Sequence, residues 1–226
     1  VSLFSGGKDS TYAIFRSRQE GHEVVCLITV FPRSEESLLL HHPNIELTRL
    51  QAGLMGIPQI IVRVNSDETR EELGELRGAL DSAKRRFGIE GVVHGGIRSV
   101  FQKEHFGSVC SELGLKVVSP LWGVDEPNYL RDLVNSGFRF IVTSVTAGGL
   151  DDSWLGKEMT LGDVEKLVAI SSKHGLNPSF EGGEAETFVL DCPLFSGAIR
   201  VTKSNKTWDG YRGRFEITEA VLEERC

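Results

Sequence analysis

The chain has 226 residues, 40% of them hydrophobic and 25% charged, with a formal net charge of −7 at pH 7. That length suits one large domain or two small ones with a sizeable core, and no apolar run approaches the roughly 20 residues of a transmembrane helix. The acidic balance disfavours nucleic acid, which meets much of a protein's surface and calls for a basic patch; a small polyanion stays admissible, because at physiological salt the Debye length is about 8 Å and local N–H groups outweigh distant carboxylates.

Val1-Ser2-Leu3-Phe4 reads as the end of a buried strand, and Thr11-Tyr12-Ala13-Ile14-Phe15-Arg16 as the opening of a helix. Between them runs Ser5-Gly6-Gly7-Lys8-Asp9-Ser10. A glycine pair lets the backbone turn tightly there, so that successive N–H groups face one concavity at the positive end of the helix dipole. Two hydroxyls, a cation and a carboxylate decorate it, a set suited to a polyphosphate held with a divalent ion. A plain glycine-rich turn is the alternative. A Walker A loop is not, since Gly-Lys-Ser/Thr must close a longer loop begun by another glycine, and Lys8 runs straight into Asp9.

The run 24–30 is continuously apolar, as in a parallel strand covered on both faces. Leu47, Leu50 and Leu54 recur at helical spacing, Gly56 is placed to stop that helix, and a strand over 59–64 follows. A longer stripe (Leu73, Leu76, Leu80, Ala83, Phe87) closes at Gly88, ahead of a strand that exits through His94-Gly95-Gly96. A helix over 100–113 and a strand over 116–118 complete the alternation. The pattern predicts an α/β fold: a Rossmann-like, doubly wound parallel sheet, its ligand lying beyond the carboxyl ends of the strands. Lys84-Arg85-Arg86, the clearest basic cluster, falls at a helix end, where cations suit the dipole.

Past Pro120 the character changes. Helices are expected around 129–134 and 161–168, a strand over 138–145, and strand-like segments at 187–190, 198–201 and 215–222, with Gly210-Tyr211-Arg212-Gly213 as a hairpin connection. Residues 1–120 therefore read as one domain and 121–226 as a smaller C-terminal α+β domain, with no linker or repeat between them. Cys26, Cys110, Cys192 and Cys226 form no Cys-x-x-Cys pair and no zinc spacing. With no signal peptide in view, they suggest a reduced, cytoplasmic protein.

Several clusters could carry chemistry. Glu181-Gly182-Gly183-Glu184-Ala185-Glu186 sets three carboxylates in a tight loop beside apolar residues, able to take a metal, a cation or a proton, or simply to be a solvated turn. Arg98-Ser99-Val100-Phe101-Gln102-Lys103 follows Gly95-Gly96 at the expected ligand edge, where cations could steady phosphate charge. His41-His42-Pro43-Asn44 lies in a loop on the same edge, as a ligand contact or a plain connection. Trp122 and Trp154 are packing residues or, beside carboxylates, faces for an organic cation.

The hexapeptide 5–10 looks like the pyrophosphate loop (PP-loop) of the N-type ATP pyrophosphatases. Taken with His42-Pro43-Asn44, Leu50-Gln51-Ala52, Gly56-Ile57-Pro58, Gly95-Gly96-Ile97-Arg98-Ser99, Gln102-Lys103, Pro120-Leu121-Trp122-Gly123, Asp152-Ser153-Trp154-Leu155-Gly156 and the acidic loop running into Thr187, the chain resembles the diphthine–ammonia ligases over essentially its whole length. His105 and Ala185 depart from that family's pattern, where an arginine and an aromatic residue are expected.

The resemblance implies a ligase that uses ATP and ammonium to amidate diphthine on translation elongation factor two, releasing AMP and pyrophosphate through an acyl-adenylate. It implies that Ser5, Gly6, Gly7, Lys8, Asp9 and Ser10 hold the pyrophosphate, with Lys8 neutralising charge and Asp9 orienting Mg²⁺. Adenine would meet the backbone of Ile28, Thr29 and Val30. Gly95, Gly96, Arg98, Ser99 and Gln102 would complete the nucleotide site, with Lys103 as a catalytic cation. On the substrate side the expected residues are His42, Asn44, Trp122, Trp154, Glu181, Gly182, Gly183, Glu184 and Glu186. Glu184 or Glu186 would accept a proton as ammonium becomes ammonia. A tRNA-modifying enzyme of the same superfamily and a non-catalytic ATP sensor are the rival readings. No membrane contact is expected, and a homo-oligomer is allowed.

Overall fold

The computed structural model describes residues 1–31, 44–66 and 68–225. The chain forms two compact units: Val1–Ser5 with Asp9–Trp122, and Gly6–Lys8 with Gly123–Cys226.

In the first unit, β1 (Ser2–Leu3), β2 (Leu27–Phe31), β3 (Gln59–Arg63), β4 (Gly91–Val93) and β5 (Lys116–Val118) form a parallel sheet in the order β3-β2-β1-β4-β5. The connections carry α1 (Lys8–Gln19), α2 (Thr48–Met55), α3 (Thr69–Phe87) and α4 (Val100–Glu112). The first strand is central; the chain winds to one side as far as β3, then crosses to β4. Such a sheet has its switch point at β1, and the loop leaving β1 opens there. All five residues of β2 are buried, as a strand covered on both faces requires. Cys26, Ile28, Leu76, Leu80, Ala83, Val92, Phe106 and Cys110 belong to one core cluster. Gly56 and Gly88 stop α2 and α3 in the left-handed conformation, both at φ 64°.

A buried polar chain crosses this sheet. The Thr29 hydroxyl donates to Phe4 O at 2.7 Å, and Gln59 Nε2 donates to Thr29 Oγ1 at 2.8 Å and Thr48 Oγ1 at 2.9 Å. Each bond satisfies a group that burial would otherwise penalise, and together they tie β1, β2, β3 and α2 in one register.

The second unit is antiparallel. Strands β6 (Arg139–Val145), β7 (Ala185–Asp191), β8 (Gly197–Trp208) and β9 (Gly213–Glu224) lie in the order β7-β6-β9-β8, accompanied by α5 (Glu126–Asn135) and α6 (Leu161–His174). Asp125 caps α5, and α6 opens with a capping box of Thr160 and Asp163. The β8–β9 hairpin extends well beyond the expected 198–201 and 215–222. Residues 202–207 are exposed and show no apolar alternation, so the period that marks a half-buried strand is missing there. A cross-strand ion pair, Lys203–Glu219, joins the hairpin there. The α/β parallel sheet followed by a smaller α+β part is the architecture expected from the pattern of elements.

Candidate active site

The loop between β1 and α1 divides between the units: Ser5, Asp9 and Ser10 group with the parallel sheet, Gly6–Lys8 with the antiparallel one. Gly6 has φ 81°, a conformation that glycine enters without steric cost. Ser5 closes on Ser10, its N–H and its hydroxyl donating to Ser10 Oγ at 3.3 and 3.0 Å. Helix α1 begins at Lys8, in the turn whose N–H groups have no partner within a helix. The Lys8 N–H donates to the Thr187 hydroxyl oxygen at 3.1 Å, and two residues further along β7 the Val189 N–H donates to Gly6 O at 3.0 Å. Since β7 is an outer strand, the loop bonds along its open edge.

The Lys8 side chain turns inward. It is 2% exposed, its Nζ donates to Ser179 O at 2.6 Å, and the Phe180 ring lies 5.3 Å away. The ammonium expected to face phosphate is thus committed to the interior of the second unit. Phe180 sits at φ 66°, a conformation that costs a bulky residue of order 1–3 kcal/mol and that its surroundings must impose.

Gly95 packs on the backbone of the helix start so closely that a β-carbon there would lie 2.6 Å from the Asp9 carbonyl carbon and 2.7 Å from Ser10 N. His94, fully buried, props up the same bend: its Nδ1 accepts the Gly96 N–H at 3.1 Å, and its Nε2 lies 2.6 Å from Ser119 Oγ. With Nδ1 accepting, the ring proton belongs on Nε2 and points to Ser119. Burial, and secondarily the charge of Lys103, lowers the His94 pKa to about 4, so the ring is neutral at physiological pH. Ser99 caps α4 by accepting the Gln102 N–H at 3.3 Å, with Arg98 exposed beside it and Gln102 half-buried.

Lys103 Nζ stands 4.0 Å from the centroid of the Trp122 ring. Trp122 groups with the first unit and already carries a cation on its face, contrary to the expectation of a free aromatic face in the second domain. His105, one of the two departures, donates from Nδ1 to Phe101 O at 2.7 Å and stacks on the Phe101 ring. Ile28, Thr29 and Val30 lie inside β2. The β1–β2 ladder stops at Leu3–Ile28 while β2 runs on to Phe31, so the β1 side of 29–31 lies beyond that ladder. Asn44 adopts φ 66° and its carbonyl accepts the Leu47 N–H at 2.9 Å, opening a short 3-10 turn; His42 lies outside the described residues.

In the second unit the acidic stretch is a loop built around its own carboxylate. Glu184 Oε1 accepts the Asn177 N–H at 2.8 Å and Oε2 accepts the Gly182 N–H at 2.9 Å. Asn177 Oδ1 accepts the Ser179 N–H at 2.8 Å and, more weakly, the Glu181 N–H at 3.5 Å. The Ser179 hydroxyl lies 2.7 Å from Asn177 Oδ1 and 3.0 Å from Oε2 of the buried Glu126, with a single proton to give to one of them. Thr146 closes the far side, its N–H donating to Glu184 O at 2.8 Å and its hydroxyl to Gly183 O. Glu186 is half-buried on β7 opposite Ser144. Trp154 is 7% exposed and serves as a core residue.

Sequence reasoning missed Asn177, Ser179 and Glu126, and Thr187 entered only as part of a motif. Their roles come from contacts across long separations, up to 179 residues for Lys8 with Thr187, which no local spacing announces. Among the described residues no three His, Cys, Asp or Glu side chains gather as a metal cluster. A divalent ion at Asp9 would therefore depend on one carboxylate and on phosphate oxygens, the arrangement Mg²⁺ favours. Cys26, Cys110 and Cys192 are free and buried, and burial pushes the Cys110 thiol up to about 11 and the Cys192 thiol up to about 12. No helix among the described residues is long and apolar enough to cross a membrane.

Residues 1–117 match the family model of the diphthamide synthase N-terminal domain, and residues 125–222 that of the diphthamide synthase C-terminal domain. A curated diphthine–ammonia ligase of Rattus norvegicus is 36% identical over 223 residues, covering 90% of this chain and 83% of the rat protein. The Homo sapiens protein of that name is 33% identical over the same shares, and that of Schizosaccharomyces pombe is 32% identical over 89% of this chain and 36% of its own length. A solved structure described as a predicted subunit of tRNA methyltransferase from Methanocaldococcus jannaschii aligns at a TM-score of 0.45 and 15% identity, over 84% of this chain and 95% of that one, a likeness too slight to bear on function. With both domain models matched in order along the chain and relatives aligned across nine-tenths of it, the protein belongs to the diphthamide synthase family.

Proposed function

We propose that this chain is a diphthine–ammonia ligase: it amidates the carboxylate of diphthine on translation elongation factor two with ammonium and ATP, giving diphthamide, AMP and pyrophosphate. The observation that carries the nucleotide half of this reading is the glycine-rich loop. It leaves the switch-point strand, opens α1, and packs so closely on Gly95 that no side chain fits between. Backbone N–H groups at a helix start favour a polyanion.

Within the reading, residues 5–10 hold the pyrophosphate end, and Gly95, Gly96, Arg98, Ser99 and Gln102 border it. The backbone of 28–30 receives adenine, and Lys103 adds positive charge on the same helix as Gln102. Asp9 carries the metal; Mg²⁺, when bound, supplies charge neutralisation on the phosphates. A carboxylate is a poor acyl donor, so activation comes first. The diphthine carboxylate oxygen attacks the α-phosphorus and the bond to pyrophosphate breaks. Ammonia then attacks the acyl carbon, AMP leaves with the bonding electrons, and the nitrogen gives up a proton. Glu184 or Glu186 accepts that proton, Glu184 while its two oxygens also accept loop N–H groups. The carboxylates of the acidic loop suit the quaternary ammonium of diphthine. The reaction is assigned to the cytoplasm, where elongation factor two works.

The test is an incubation with ATP, ammonium and diphthine-bearing factor. AMP and pyrophosphate appearing in step with amide, and only with both co-substrates, supports the ligase. ADP and phosphate, stable protection of ATP, or turnover on tRNA in place of the factor would each contradict it.

A further inference from the structure

His94 is 2% exposed, in surroundings where a polar ring is costly unless its nitrogens are bonded. Both are: Nδ1 accepts the Gly96 N–H at 3.1 Å, and Nε2 lies 2.6 Å from Ser119 Oγ. The β4–β5 ladder ends at Val93 and Val118, so the Gly96 amide lies beyond it, and the imidazole supplies the acceptor that a longer ladder would have offered. The ring also meets Phe106 of α4 edge-on, with centroids 5.8 Å apart. A β-carbon on Gly96 would lie 3.0 Å from His94 Nδ1 and 3.4 Å from Gln102 Oε1, so the bend runs between the imidazole and the Gln102 side chain. One buried ring thus joins the exits of β4 and β5 to α4, all within the parallel unit.

One residue earlier, Gly95 rests on the backbone of Asp9 and Ser10, with no room for a β-carbon. A planar peptide links Gly95 to Gly96, so a partner that fixes the Gly96 N–H also fixes the Gly95 carbonyl. In a close-packed interior, rotation of that plane is passed to the backbone it touches. We propose that His94 is a positioning residue of the nucleotide site: through Nδ1 it locks the Gly95–Gly96 peptide, which holds the backbone of Asp9 and Ser10 in the form that receives ATP. The proposal rests on the reading of those four residues as nucleotide-binding. Ser119 serves it by keeping the ring proton on Nε2, which leaves Nδ1 free to accept.

The experiment is calorimetric titration of the full chain with ATP and Mg²⁺, for wild type, His94→Asn, His94→Gln and His94→Leu, with a thermal melt of each. The asparagine oxygen takes the place of Nδ1, whereas the glutamine carboxamide reaches only that of Nε2. His94→Asn should therefore keep the ATP affinity within about threefold of wild type, while His94→Gln and His94→Leu should weaken it about tenfold. A merely structural residue would instead change the melting temperature and leave the affinity of the folded chain alone. Unchanged affinity in His94→Gln and His94→Leu overturns the proposal, as does a loss in His94→Asn equal to theirs. Should His94→Leu melt below the titration temperature, His94→Asn against His94→Gln decides by the same criteria. A wild-type chain that does not bind ATP refutes the underlying reading and this proposal with it; one that binds while all variants match it refutes this proposal alone.

Discussion

The two units shape their polar loops by opposite means. In the parallel unit the geometry is set by what is left out: Gly95 lacks the atom that would strike Asp9, and β1 ends early enough for the loop to open at the switch point. In the antiparallel unit the geometry is set by what is put in. One carboxylate, one amide and one hydroxyl (Glu184, Asn177 and Thr146) satisfy the backbone of a loop that has little regular structure of its own. A loop of the first kind is broken by adding a methyl group; a loop of the second kind is broken by removing an acceptor.

Gly95→Ala is the sharpest way to break the comparison. A β-carbon 2.6 Å from backbone must displace the start of α1, and a shift of that order can cost about a hundredfold in rate. AMP formation should fall by that factor while circular dichroism still reports a folded chain; normal turnover would mean the loop is not where the chemistry occurs. Next comes Asp9→Asn, expected to slow AMP formation about a hundredfold through weaker metal binding, with excess Mg²⁺ recovering part of it. A variant indifferent to Mg²⁺ would remove the metal from Asp9.

The acidic loop separates its two carboxylates. Glu184→Gln keeps one acceptor oxygen and should cost about 1–3 kcal/mol by leaving a loop N–H poorly paired, read as a lowered melting temperature together with reduced amidation. Glu186→Gln should lower amidation more than ATP binding. Unchanged amidation in both variants would remove the acidic loop from the chemistry.

The last effect is seen only on acidification. The folded His94 pKa of about 4 lies below the ordinary 6.5, so the unfolded chain binds this proton first as pH falls. The resulting stability is fully present above about pH 6.5 and declines towards pH 4, by at most about 3 kcal/mol. Denaturant melts across that window should show a shallower slope for His94→Gln than for wild type; parallel slopes would contradict the neutral, Nδ1-accepting ring.

The same contrast explains what could be read in advance. The parallel unit was legible because burial on both faces of β2 leaves an unbroken apolar run and because Gly56 and Gly88 punctuate α2 and α3 where their stripes end. The turn at 5–10 between β1 and α1 was legible because the glycines that permit it are local. Residues 202–207 were not, since exposure on both faces removes the alternation that marks a strand. Nor could the inward turn of Lys8 or the locked carboxylate of Glu184 be foreseen, because both depend on partners that only folding supplies: Ser179 for the first, Asn177 for the second. Trp122 shows the same limit, its face being taken by Lys103 from a helix that precedes it in the chain.

In the proposed reaction the loop after β1 presents the α-phosphorus of ATP to an acceptor carboxylate. Isotope exchange tests it most directly: labelled pyrophosphate is incubated with ATP, Mg²⁺ and diphthine-bearing elongation factor two, with ammonium left out. Label should enter ATP only when the factor is present and should stop entering it in Asp9→Asn. Amide formation proceeding with ammonium while no label ever enters ATP would contradict a reversible adenylation at this loop.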